Sequence, residues 1–158
     1  MSRYDGSDDC DDYWQLNMGR WERNSRAVLK SGRGKKALAD LITALEALPQ
    51  RRLISERVAV LTNPGAEDCH VSEVCAVGAY AHFKGIDLTT WVGEDGAVAD
   101  ETDTSLRETA WLGEQAGMAF TLAWNLGYLN DYTLKDCTPE ERWQRVYEWA
   151  TEHLSTKF

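Results

Sequence analysis

The sequence predicts a mainly α fold, one compact helical domain of five or six helices, and three observations carry that reading. Apolar residues recur at three- and four-residue spacing in several separate stretches. Helix caps and breakers sit where those stretches begin and end, as at Thr138-Pro139 and at Pro49. The chain has 158 residues, 43% of them hydrophobic and seven of them tryptophan, enough to bury a core without disulfides or metals. Residues 1–12 are set apart as an acidic tail, holding Asp5, Asp8, Asp9, Asp11 and Asp12, and residues 13–158 form the helical domain.

The centre of the prediction is Glu73 to Lys84, EVCAVGAYAHFK. Val74, Val77, Gly78 and Ala81 share one side at helical spacing, while Ala76 and Ala79 leave little bulk on the other. Neighbours can therefore approach on both faces, and Gly85 closes the helix. Ahead of it, residues 13–30 read as an amphipathic helix. Trp14, Met18, Trp21, Val28 and Leu29 lie on one arc, and Arg20, Arg23, Arg26 and Lys30 on another. SGRGKK, residues 31–36, breaks this helix at a glycine turn and starts another. A second amphipathic helix spans Lys35 to Leu48, with Leu38, Leu41, Ile42, Leu45 and Leu48 inward and Lys36, Asp40, Thr43 and Glu46 outward.

Residues 53–74 are open to two readings, a helical turn or a two-stranded hairpin near residues 57–74 across the Asn63-Pro64-Gly65 turn. Residues 86–108 read as an exposed acidic connection containing Trp91. Helices follow from Ser105 to Ala116 and from Met118 to Leu129. The second is apolar almost all round, so its aromatic steps Phe120, Trp124 and Tyr128 are expected in the core. Asn130 and Asp131 end it by capping and turn chemistry, or hold a cation together with Asp136. The last helix starts at Thr138 and buries Trp143, Val146, Tyr147, Ala150 and Leu154, leaving Trp149 at the edge of that stripe.

Function classes are narrowed mainly by exclusion. SGRGKK lacks the G-x-x-x-x-G-K-[ST] spacing of a phosphate-binding loop, the acidic connection lacks the calcium-loop pattern, and no serine sits in G-x-S-x-G. His70, His82 and His153 are too dispersed to assign a nucleophile and its base, so no catalytic residues and no cofactor are expected. Cys69, His70, Cys75 and His82 lie near one another, but five residues separate the cysteines and Cys75 sits on the apolar helix. Free thiols are expected there, with no metal site. The acidic N-terminus and the lack of a long apolar run predict neither a secretory signal nor a membrane anchor, and hence a cytoplasmic protein with reduced cysteines.

Charge is uneven. Residues 20–57 hold ten basic residues against four acidic ones, within a chain whose net charge is −9. The alternative function follows from this segment: a nucleic-acid-binding accessory whose contacts are Arg20, Arg23, Arg26, Lys30, Arg33, Lys35 and Lys36. The acidic remainder repels phosphate, which favours a protein partner, with exposed tryptophans Trp91 and Trp149 as its expected anchors.

RGKKALADLITALEALPQRRLI, VCAVGAYAHFKGID, LGYLND and TPEERWQRVYEWA, in this order, resemble small proteins of unassigned activity that recur in bacteriophage and prophage genomes. The resemblance covers roughly residues 33–154. It implies a phage-encoded setting, in the host cytoplasm or in the virion, and carries no catalytic residues; in that setting the expected protein partner is a host or virion protein.

Overall fold

The computed structural model describes residues 28–29, 31–102 and 104–155. The acidic tail, most of the first predicted helix and its Arg20, Arg23, Arg26 and Lys30 lie outside the described residues. Helix α1 spans Gly32–Ala47 and begins earlier than expected. Ser31 is its N-cap, accepting from Gly34 N at 2.9 Å, so SGRGKK starts this helix as expected, with both glycines inside its first turn. The predicted leucine stripe faces inward: Leu38, Leu41 and Leu45 are fully buried, and Ile42 and Leu48 pack partly against the same core.

Of the two readings of residues 53–74 the hairpin is found. Strand β1, Ala59–Thr62, pairs antiparallel with β2, His70–Val74, in the register Ala59 to Val74 and Thr62 to His70, with a bulge at Val60/Leu61. The competition between strand and helix at this point is resolved by Cys75. It ends the strand and caps helix α2, Ala76–Phe83, its Sγ accepting from Gly78 N at 3.3 Å. Every residue of α2 from Ala76 to Ala81 is buried, as a central helix requires. Helix α1, strand β2, helix α3 (Leu106–Gln115) and helix α4 (Phe120–Tyr128) all pack against α2.

Helix α5, Pro139–Ser155, has the predicted cap as a reciprocal pair. Thr138 Oγ1 accepts from Glu141 N at 3.1 Å, and Glu141 returns a carboxylate oxygen to Thr138 N at 2.8 Å. It packs chiefly on α1, not around α2. Trp143 Nε1 donates to Leu45 O at 3.1 Å, and Lys35 Nζ donates to His153 O at 2.6 Å and Leu154 O at 3.1 Å, tying the start of α1 to the end of α5.

The acidic connection is the largest departure from expectation. Its carboxylates Glu94, Asp95 and Glu101 are exposed, but Leu88, Trp91 and Ala99 are buried. A tight turn joins Val92 and Val98 in an isolated bridge, and Asp95 N donates to the buried Glu108 carboxylate at 2.9 Å. Ala59 N bonds Ala99 O at 3.0 Å and Thr104 N bonds Glu56 O at 3.1 Å, so the segment is sewn to the hairpin strand and its approach. Periodic analysis misses such a segment because its apolar residues are isolated and follow neither helical nor strand spacing.

Candidate interaction site

Helix α4 is apolar almost all round, so its own pattern says little about which face turns inward. Packing against α3 decides it. A Cβ on Gly113 of α3 would lie 2.6 Å from the Ala123 side chain, so the two helices meet through small residues at a separation that excludes an aromatic ring. Leu122, Ala123, Leu126 and Gly127 take the inner face. Phe120 and Trp124 are therefore turned outward, which corrects the expectation that they sit in the core, while Tyr128 packs partly against it. Phe120 is 37% exposed and Trp124 38%, with Tyr128 half-buried beyond them. The Phe120 and Trp124 rings touch at 6.1 Å between centroids.

A π-helical turn, Leu129–Thr133, extends this stripe. Its ladder bond runs from Leu134 N to Leu129 O at 3.0 Å, five residues back. In a continuous α-helix each four-residue step advances by about 40°, which would carry a fourth ring well round the helix. The wider turn takes back part of that drift. Tyr132, 50% exposed, stacks on Tyr128 at 5.2 Å and 24° and continues the stripe.

The same turn drives Asn130 inward, where it is fully buried. Its Oδ1 accepts from Ala76 N at 3.1 Å, and its Nδ2 donates to Ile54 O at 2.9 Å and to Asp131 Oδ1 at 2.7 Å. Asp131 Oδ1 also accepts from Glu56 N at 3.2 Å, and Glu56 holds a left-handed backbone, φ 73°. Arg142 locks the exit from the turn. Its guanidinium donates to the carbonyls of Leu53, Leu134, Lys135 and Cys137 at 2.7–3.4 Å. The expected capping role of Asn130 and Asp131 is thus a cross-brace between α2, the approach to β1 and the π turn. A polar pair after an apolar run was the only sequence signal for it.

Beside Tyr132 the surface opens into a cleft of about 370 Å³. Asp131, Glu56 and Lys135 line it together with Thr104, Ser105 and Leu106 at the start of α3. Burial raises the Asp131 carboxyl above its ordinary pKa, against the hydrogen bonds from Asn130 and from Glu56 N. Among the described residues, Glu56, Asp131 and Lys135 join no ion pair. Arg142, buried beside the turn, acts on Asp131 and Glu56 from within. Aromatic stripe and polar cleft meet at Tyr132, giving one surface that combines exposed rings with carboxylates in no direct ion pair among the described residues.

The predicted anchors are elsewhere. Trp91 is 8% exposed, its Nε1 donating to Gln115 Oε1 at 2.8 Å and its ring 6.1 Å from that of Trp111. Trp149 is completely buried, because the inward face of α5 runs through Arg142, Trp143, Val146, Trp149, Ala150 and His153, rotated from the predicted stripe. Neither indole offers the exposed face expected of it. Of the basic segment, Arg33 Nε bonds Gly117 O at 3.4 Å, Lys35 binds the end of α5, and Lys36 pairs with Asp40 at 3.3 Å.

Cys75 is buried under α2, whereas Cys69, His70 and His82 line a surface cleft. Among the described residues no group of three or more His, Cys, Asp or Glu side chains converges as a metal site. Cys69 and Cys75 are free thiols, but Cys137 is disulfide-bonded, which corrects the expectation of four reduced cysteines. No described helix is long and apolar enough to cross a membrane. Comparisons with protein families, curated proteins and solved structures find no match to this chain.

Proposed function

We propose that this chain is a non-enzymatic, phage-encoded accessory protein that acts by binding a host or virion protein, in the host cytoplasm or in the virion. The observation that carries the reading is the aromatic stripe: Phe120, Trp124 and Tyr132 hold 37–50% of their surface in solvent on one helix and its continuation. Large rings on a rigid element lose little conformational entropy on contact and commonly anchor protein interfaces. Among the described residues the other exposed large apolar side chains, Phe83, Val92 and Val98, belong to other elements. The stripe replaces Trp91 and Trp149 as the contact surface. The nucleic-acid alternative draws less support, because Arg33, Lys35 and Lys36 already serve bonds within the fold.

The test is affinity capture from phage-infected host lysate with the tagged full-length protein, run beside a Phe120→Ala/Trp124→Ala double variant and a Lys36→Gln control. A stoichiometric protein retained by wild type and control but lost from the double variant supports the reading. Equal retention by all three, or recovery of nucleic acid alone in a salt-sensitive complex, overturns it.

A further inference from the structure

We propose that the cleft beside Tyr132 receives an arginine side chain from the partner, so that the stripe and cleft together recognise a protein segment carrying an apolar residue next to an arginine. The inference rests on the protein-binding reading above and names the partner's chemistry. Three features of the cleft support it.

The first is charge. Two carboxylates, Asp131 and Glu56, face one ammonium, Lys135, and none of the three is paired among the described residues. The buried Arg142 acts on both carboxylates from within, but its hydrogen bonds go to backbone carbonyls, so the carboxylates keep acceptor sites for an incoming donor. The second is positioning. Asp131 Oδ1 is held by Glu56 N and Asn130 Nδ2, while Oδ2 takes no hydrogen bond from a described residue. A carboxylate fixed through one oxygen offers the other without an orientational cost, and guanidinium donors match such an acceptor. The third is the ring. Tyr132 is stacked by Tyr128 on one side and half exposed on the whole. A planar guanidinium stacks on such a face more readily than an ammonium does. Next to it, Trp124 and Phe120 supply contact area for the neighbouring apolar residue.

Lys135 makes the proposal sharp, since an arginine and an acidic ligand would respond to it with opposite sign. With an arginine bound, Lys135 is a like charge at the rim and opposes binding. With an acidic segment bound at the start of α3, Lys135 would be its partner.

The experiment uses immobilised full-length protein to select from a displayed library of random short peptides, followed by titration of the selected synthetic peptides. The expected selection places an arginine beside an aromatic or aliphatic residue. Glu56→Gln, which removes an exposed charge, should weaken those peptides by about tenfold, as should Asp131→Asn, which retains an oxygen for Glu56 N. Lys135→Gln should strengthen them, and replacing the peptide arginine by citrulline should abolish the effect of all three variants.

Peptides enriched without a basic residue, or weakened by Lys135→Gln, overturn the arginine inference. They leave the protein-binding reading standing if Trp124→Ala still abolishes their binding. Peptides indifferent to Trp124→Ala, or no enrichment above that on the Phe120→Ala/Trp124→Ala protein, overturn both. Self-association of the free protein that disappears on Trp124→Ala, measured by sedimentation equilibrium, would assign the surface to a second copy and also overturns the arginine inference.

Discussion

Gly78 lies in the middle of α2, where alanine is ordinarily the better residue by about 1 kcal/mol. The packing reverses that preference. A Cβ at this position would stand 2.4 Å from Val58 O and 3.3 Å from Val58 Cγ1. Ordinary contact needs about 3.5 Å, so the backbone of residue 58 and the helix must separate by roughly 1 Å. Neither moves freely, because Val58 O accepts from Cys75 N at 3.0 Å and Ala59 N is bonded to Ala99 O. Overpacking of this kind costs about 1–3 kcal/mol. With the gain in helix propensity subtracted, Gly78→Ala should lose up to about 2 kcal/mol. For a domain of this size that corresponds to a melting temperature lower by up to roughly 8 °C. Gly32, at the start of α1, is the internal control: a Cβ there meets nothing within 4 Å, and Gly32→Ala should be neutral or stabilise by a few tenths of a kcal/mol. Thermal and urea unfolding followed by far-UV circular dichroism compare the two. A Gly78→Ala protein that melts at or above wild type would refute the close approach of α2 to residue 58.

Asn130→Ala should cost about 2–5 kcal/mol by urea unfolding, since it strips partners from Ala76 N–H and Ile54 C=O in the interior; a loss below about 1 kcal/mol would show the cross-brace to be dispensable. Burial pushes the Cys75 thiol up to about 12, so a thiol reagent near neutral pH should modify Cys69 and leave Cys75 untouched until the chain unfolds, as peptide mass mapping would register. Burial also raises the Asp131 carboxyl, so between its unfolded value of about 3.9 and its higher folded value the native state binds more protons. Its contribution to stability is complete at low pH and is lost as pH rises through the folded value. Asp131→Asn should therefore gain stability relative to wild type on going from about pH 4 to about pH 7, and a difference that stays flat or falls would contradict the buried placement.

What the sequence determined by itself was local. The cap at Thr138, the position of Pro139, the leucine stripe of α1 and the turn at Asn63-Pro64-Gly65 are each set by side chains within about one helical turn or one hairpin of the backbone they serve. Spacing exposes such relations directly, and the mainly α architecture with its small hairpin follows from them. Which surface of each element faces a neighbour was decided only in three dimensions. Helix α4 is apolar on almost every side, so its orientation awaited the contact of Gly113 with Ala123, and that contact turned Phe120 and Trp124 out. Trp91 was drawn in by Gln115 and Trp111, more than a dozen residues away, and Trp149 by a rotation of α5 against α1. The π turn that brings Tyr132, Asp131 and Glu56 to one cleft depends on Asn130 reaching Ala76 N and Ile54 O, 54 and 76 residues distant. Hydrophobicity says that a ring gains by leaving water, but it does not say which neighbour will cover it. That choice belongs to the packing of elements far apart in the chain, and here it moved the candidate site from two buried tryptophans to an exposed aromatic stripe.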